Sequence, residues 1–102
     1  MKIKIGEVDV ELRYTFNSFK YMKELDISDM NNLDKKPFKI FNVLSELFYG
    51  AVNHNPNVSV SREESDTLLQ DYLSSDDCNI GEFSNKMVEM LLENDFFKQL
   101  QA

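Results

Sequence analysis

The N-terminal residues 2–13 alternate between apolar and polar side chains in two short runs. Ile3 and Ile5 alternate with lysines, and the second run from Val8 to Leu12 alternates with acidic residues. A period of two places one apolar face of a strand against a core. Between the runs, Gly6 supplies the positive φ that the first central position of a tight two-residue turn requires. The pattern therefore predicts a β-hairpin over residues 2–13.

A short helix is predicted after the hairpin, followed by a polar loop. Thr15 is a suitable N-cap, and apolar residues recur at spacings of three and four as far as about Leu25. Residues 26–36 are rich in Asp, Asn and Ser, which favour turns, so we expect a loop there.

The middle of the chain predicts a longer helix from about Pro37 to Asn53. Proline suits the first turn of a helix because its missing N–H would have no partner there. Pro56 cannot continue the helix and marks its end. The apolar stripe is unusually wide, which is typical of a helix that is either central or partly an interface. The stripe comprises Ile40, Phe41, Val43, Leu44, Leu47, Phe48, Tyr49, Ala51 and Val52.

Two further helices are predicted in the second half. Ser61, followed by Glu64 three residues later, matches a capping box and predicts a helix to about Leu73. A polar loop over residues 74–78 separates it from a helix over about residues 80–93. The ending from Asp95 is amphipathic and is either a short helix or a free tail. Together these elements predict one domain over residues 1–102, of the α+β class but mainly α, in which the hairpin packs on about four helices.

The composition fits a small folded domain. The chain has 102 residues, 42% hydrophobic and 12% aromatic, with 3 Gly and 2 Pro, which excludes collagen-like, low-complexity and wholly disordered chains. It holds no apolar run long enough to span a bilayer and no apolar signal core at its start. A single cysteine fits a reducing compartment, so we expect a cytoplasmic protein.

The net charge of −7 is unevenly distributed. Residues 1–39 carry 8 basic and 7 acidic groups (8 − 7 = +1), whereas residues 40–102 carry 3 and 11 (3 − 11 = −8). Because an acidic surface repels phosphate groups, we expect no binding to nucleic acids or anionic membranes.

The candidate chemistry is sparse, and we expect neither an enzyme nor a bound cofactor or metal. His54 and Cys78 are the only residues of their kinds and fall in separate predicted loops. The motifs CxxC and HExxH are absent, and the Asp76-Asp77 stretch fails the register of a calcium-binding loop. An enzyme that pairs Cys78 with His54 is the least favoured alternative.

Interaction with other proteins is the remaining hypothesis. Exposed apolar patches mark partner sites, and the wide stripe over residues 37–53 and the aromatic ending are the candidates. The alternative is that Phe96 and Phe97 simply close the core. The predicted interface residues are Phe41, Phe48, Tyr49, Phe96, Phe97 and Leu100.

The order of these segments resembles the tail assembly chaperones of long-tailed phages and prophages of Gram-positive bacteria. The resemblance covers nearly the whole chain and rests on patterns of apolar and acidic positions, not on a catalytic signature. Its segments are Met1-Lys2-Ile3-x-Ile5-Gly6, Glu11-Leu12-Arg13-Tyr14-Thr15-Phe16, Phe19-x-Tyr21-Met22-x-Glu24-Leu25, Ala51-Val52-Asn53-His54-Asn55-Pro56, the helix capped by Ser61, the acidic helix to Glu93 and Asp95-Phe96-Phe97.

The resemblance implies a non-enzymatic protein of the bacterial host cytoplasm. Such a chaperone would coat the tape measure protein, recruit tail tube subunits and self-associate into a homo-oligomer. A rival hypothesis from the acidic second half is a small phage-encoded adaptor or inhibitor that binds a host protein.

Overall fold

The computed structural model describes residues 1–31, 33–75 and 78–100. An N-terminal antiparallel hairpin is followed by helices for the rest of these residues, so the α+β, mainly α prediction is confirmed. Six helices are described where about four were expected. The two strands are β1 Lys2–Ile5 and β2 Val8–Glu11. The helices are α1 Phe16–Tyr21, α2 Ile27–Asn31, α3 Lys39–Val52, α4 Arg62–Leu73, α5 Ile80–Leu92 and α6 Asp95–Leu100.

The hairpin forms in the predicted register. Ile5 pairs with Val8 across a two-residue turn, and Gly6 there has a φ of 63°. The pairing extends beyond the strands, because the amide of Leu12 donates to the Met1 carbonyl at 2.7 Å. Since a lone hairpin is marginal in water, its stability depends on the contacts of β1 with α4 and of β2 with α3.

Helix α1 begins at the predicted cap but is shorter than expected. The amide of Ser18 donates to Thr15 Oγ1 at 3.4 Å, and the amide of Thr15 donates to Ser18 Oγ at 3.0 Å, which completes a capping box. The helix ends at Tyr21, not near Leu25. Met22, the residue that follows α1, packs directly against Gly50 of α3. A Cβ at position 50 would collide with the Met22 side chain.

The prediction of a loop over residues 26–36 is wrong in part, because α2 occupies Ile27–Asn31. Its start is set by Asp26, whose Oδ1 accepts hydrogen bonds from the Ser28 amide at 2.9 Å and the Ser28 hydroxyl at 2.6 Å. Asp and Ser satisfy helix N-termini as readily as they form turns, so the residue types that predicted a loop also cap a short helix.

Helix α3 is the centre of the molecule and agrees with the predicted bounds to within two residues. It contacts α1, α2, α4, α5 and β2. This central position explains the width of its apolar stripe. The buried core comprises Ile3, Leu12, Tyr14, Met22, Val43, Leu44, Leu47, Phe48, Ala51, Val52, Leu69, Phe83, Met87, Leu91 and Phe97.

The turn between α3 and α4 is closed by a buried asparagine. Asn53 Nδ2 donates to the carbonyls of Tyr49 and Val60, and its Oδ1 accepts from the Val60 amide at 2.8 Å. Ser61 then caps α4, with its Oγ accepting from the Glu64 amide at 3.1 Å, which is one half of the predicted capping box. The expected bounds of α4 and α5 are confirmed to within one residue.

The C-terminal ending forms the short helix α6, one of the two alternatives. Asn94 Oδ1 accepts from the amides of Phe96 and Phe97, while Asn94 Nδ2 donates to the Tyr14 carbonyl at 2.8 Å. One side chain thus begins α6 and ties it to the segment before α1. The last two residues of the expected tail lie outside the described residues, as do Asp76 and Asp77 in the expected loop over residues 74–78.

Candidate functional site

The six predicted interface residues divide into exposed and buried groups. Phe41 is 51% exposed near the start of α3, and in α6 Phe96 is 44% and Leu100 76% exposed. Tyr49 is half-buried on α3. These four side chains remain accessible to a partner.

Phe48 and Phe97 are corrected from interface to core. Phe48 is 0% exposed and packs its ring 6.5 Å from that of Phe83 on α5, while Phe97 is 5% exposed. The apolar stripe on α3 is wide because neighbouring elements bury this helix on several sides. A partner could reach either ring only if the fold opened.

An apolar groove lies between α3 and α4. It is a cavity of about 500 Å³ with the half-exposed ring of Phe41 at its edge. Helix-binding grooves typically combine apolar walls with a few polar groups. The walls comprise Phe41, Asn42, Ser45, Asp66, Leu69, Gln70, Leu73, Ser74 and Ile80.

Two polar contacts join α3 and α4, the first of them within the wall of this groove. Ser45 Oγ donates to Asp66 Oδ1 at 2.6 Å, and Arg62 Nη2 donates to both carboxylate oxygens of Glu46. Glu46 is buried, and Arg62 forms the ion pair that a buried carboxylate requires. The hydrogen bond that Arg62 donates to Glu46 raises the pKa of Arg62, so the guanidinium stays charged.

A second, polar cavity of about 560 Å³ lies at the other end of α3 and α4. The rings of Tyr21 and Tyr49 meet edge-to-face at 5.2 Å, and the Arg62 guanidinium lies 4.4 Å above the Tyr49 ring. We call this cavity the tyrosine pocket. It is lined by Asn17, Lys20, Tyr21, Lys23, Glu24, Tyr49 and Arg62.

A smaller aromatic patch joins α1 and α6. The Phe16 and Phe96 rings meet edge-to-face at 5.8 Å, and Lys20 Nζ lies 5.5 Å above the Phe16 ring. The rings of Phe19 and Phe96 also meet edge-to-face, with their centroids 6.4 Å apart. The Phe96 ring therefore packs against α1 and is still 44% exposed.

His54 and Cys78 lie in different surroundings. The His54 carbonyl accepts from Thr15 Oγ1 at 2.7 Å beside α1, whereas Cys78 lines a small cavity with Met1 and Tyr72. Burial raises the pKa of the Cys78 thiol, which disfavours the reactive thiolate.

The described parts of the chain hold neither a metal-binding cluster nor a membrane-spanning helix. Within residues 1–31, 33–75 and 78–100, no three His, Cys, Asp or Glu side chains are grouped so that they could hold a metal ion. No helix in these ranges has the length and apolar character needed to cross a bilayer.

Two surface features were not predicted from the sequence. Phe38 is 82% exposed just before α3, and the sequence pattern assigned it to neither the core nor an interface. The tyrosine pocket combines side chains from α1, α3 and α4, which are distant in sequence. The pairing of Arg62 with Glu46 is a long-range contact that no local pattern reveals.

The chain matches no protein-family model, no curated protein and no solved structure.

Proposed function

We propose that this protein is a non-enzymatic tail assembly chaperone that binds a helical client through the apolar groove between α3 and α4. The observation that carries the proposal is the groove itself, with Phe41 half exposed at its edge. Aromatic residues on an open apolar surface are typical anchors of protein interfaces.

The groove supports a helical client in particular. Helix-in-groove binding buries apolar residues that recur every three or four positions along the bound helix. Leu69 and Leu73 on α4 recur at that spacing along the groove. By the family resemblance, the client is the tape measure protein, and tail tube subunits and further copies of this chain join the assembly.

The acidic exterior supports a role in keeping such an assembly dispersed. The net charge of −7 gives like-charged surfaces that repel each other. A chaperone that covers the apolar face of a client needs such a solvated outer surface.

Co-expression with the tape measure protein of the same genome tests the proposal. We expect the wild type to keep the tape measure protein soluble and to co-purify with it. Phe41→Asp places a charge in the groove and should reduce the recovered tape measure protein at least ~10-fold, because an aromatic anchor of an interface contributes ~2 kcal/mol or more.

Val8→Asp is the matched control, because Val8 is 62% exposed on the hairpin, away from the groove. Like Phe41→Asp, it replaces an exposed apolar side chain with a carboxylate, but it should leave co-purification of the tape measure protein intact. Loss of co-purification in both variants, or in neither, would contradict the groove as the client site. Failure of the wild type to co-purify would instead favour an adaptor or inhibitor of a host protein.

A further inference from the structure

We propose that the tyrosine pocket binds a carboxylate on the same helical segment that occupies the apolar groove. This inference rests on the proposed function and adds the chemistry of the partner: an apolar anchor and, about two helical turns away on either side of it in sequence, an Asp or Glu side chain.

The spacing of the lining residues along α3 and α4 places the two cavities on one line. On α3, Asn42 and Ser45 line the apolar groove and Tyr49 lines the tyrosine pocket, at helical spacings of three and four residues. On α4 the order is reversed, with Arg62 at the pocket and Leu73 at the groove, so the two helices run antiparallel. A straight segment lying along this line meets both cavities.

The distance between the cavities sets the spacing in the partner. Asn42 and Tyr49 are seven residues apart, which corresponds to roughly 10 Å along a helix that rises about 1.5 Å per residue. A partner helix parallel or antiparallel to α3 rises at the same rate. Its acidic residue should therefore lie about seven residues from its apolar anchor, on the same face.

The charges in and beneath the pocket fit a single carboxylate. Lys20, Lys23 and Arg62 carry three positive charges, and Glu24 with the buried Glu46 carries two negative ones, leaving 3 − 2 = +1. One carboxylate neutralises this excess, whereas a doubly charged phosphate would overcompensate it. In a chain of net charge −7, this local excess is opposite in sign to the whole molecule.

Arg62 is preorganised for such a contact. Its guanidinium is fixed between Glu46 and the face of Tyr49, so binding costs little additional side-chain entropy. Arginine has five N–H donors, and both bonds to Glu46 come from Nη2.

The test is a binding titration with fluorescently labelled helical peptides that share a leucine pair as the anchor. One peptide of a pair carries Glu about seven residues from the anchor on the same face, and the other carries Gln there. Both chain directions are included, with Glu before or after the anchor. In one direction, the Glu peptide should bind about 10-fold more tightly than its Gln partner, since a charge-assisted hydrogen bond contributes ~1.5 kcal/mol or more.

Variants locate the effect. Lys23→Gln should reduce the preference for Glu over Gln, while Lys4→Gln, the same charge change on an exposed strand residue, should preserve it. Phe41→Asp should weaken the Glu and Gln peptides alike.

The outcomes separate this inference from the proposed function. Equal binding of Glu and Gln peptides, both lost in Phe41→Asp, overturns the carboxylate site and leaves the groove standing. Absence of binding by all peptides overturns both. The third outcome concerns inorganic phosphate as a competitor of the labelled Glu peptide. If phosphate displaces that peptide at a lower concentration than unlabelled Glu peptide does, the pocket is a phosphate site and the carboxylate site is overturned.

Discussion

At the scale of single residues, two fully buried serines have opposite hydrogen-bonding situations. Ser18 Oγ accepts from the Thr15 amide at 3.0 Å and donates to the Arg13 carbonyl at 3.2 Å. Ser65 Oγ has no hydrogen-bond partner among the described residues. A buried hydroxyl without a partner loses its hydration and gains nothing in return.

The two alanine variants should therefore change stability in opposite directions. Ser65→Ala should raise the free energy of unfolding by about 1 kcal/mol, since it removes the unpaired hydroxyl and favours the helix. Ser18→Ala should lower it by about 1–2 kcal/mol, because the Thr15 amide and the Arg13 carbonyl lose their hydrogen bonds to Ser18 Oγ, and with them half of the capping box of α1. Urea unfolding followed by circular dichroism measures both. Equal losses in the two variants would contradict the difference in hydrogen bonding.

At the scale of elements, α6 depends on one side chain from outside the helix. Asn94 satisfies the amides of Phe96 and Phe97 and bonds to the Tyr14 carbonyl. A six-residue helix has little stability of its own, so packing and capping must hold it.

Asn94→Ala should release α6 while leaving the rest of the fold intact. We expect a loss of about 1–2 kcal/mol and rapid hydrogen exchange of the amides in Asp95–Leu100. Asp95→Asn is the control, because it keeps a polar residue next to the cap and leaves the Asn94 bonds in place. Unchanged exchange in Asn94→Ala would show that burial of Phe97 alone holds the helix.

The elements also show which parts of the fold local patterns determine. The hairpin turn at Gly6 and the caps Thr15 and Ser61 were predicted correctly, because each depends on residues within three positions. Helix α2 was missed because Asp26 and Ser28 suit a turn and a helix start equally well. The hydrogen bonds of Asn94 to Phe96 and Phe97 are local. Its hydrogen bond to the Tyr14 carbonyl joins residues 80 positions apart, and no local sequence pattern predicts such a contact.

At the scale of the whole molecule, the sequence predicted which residues of α3 are apolar. It did not predict which of them the other elements bury and which stay exposed. Phe41 and Phe48 lie on the same helix, seven residues apart, and only the packing of the other elements on α3 makes one accessible and the other buried. The tyrosine pocket was missed for the same reason, since Arg62 reaches Glu46 and Tyr49 across two helices. Tertiary contacts thus determine the candidate site, while local patterns determine most of the helices.

This difference between Phe41 and Phe48 decides how self-association must be tested. We expect the wild type to form oligomers as its concentration rises, measured by light scattering on a sizing column. Phe41→Asp should reduce association but stay folded, because its ring is half exposed. Phe48→Asp should unfold the chain, since it removes a core aromatic worth about 3–5 kcal/mol and buries a charge.

Val8→Asp controls for the added negative charge, because Val8 is exposed on the hairpin. It should associate like the wild type. A wild type that stays monomeric at every concentration would contradict self-association but not client binding, since the groove would then be open in the free protein. A Phe41→Asp variant that still forms oligomers would place the contact between copies elsewhere, and the patch of Phe16 and Phe96 would be the next surface to alter.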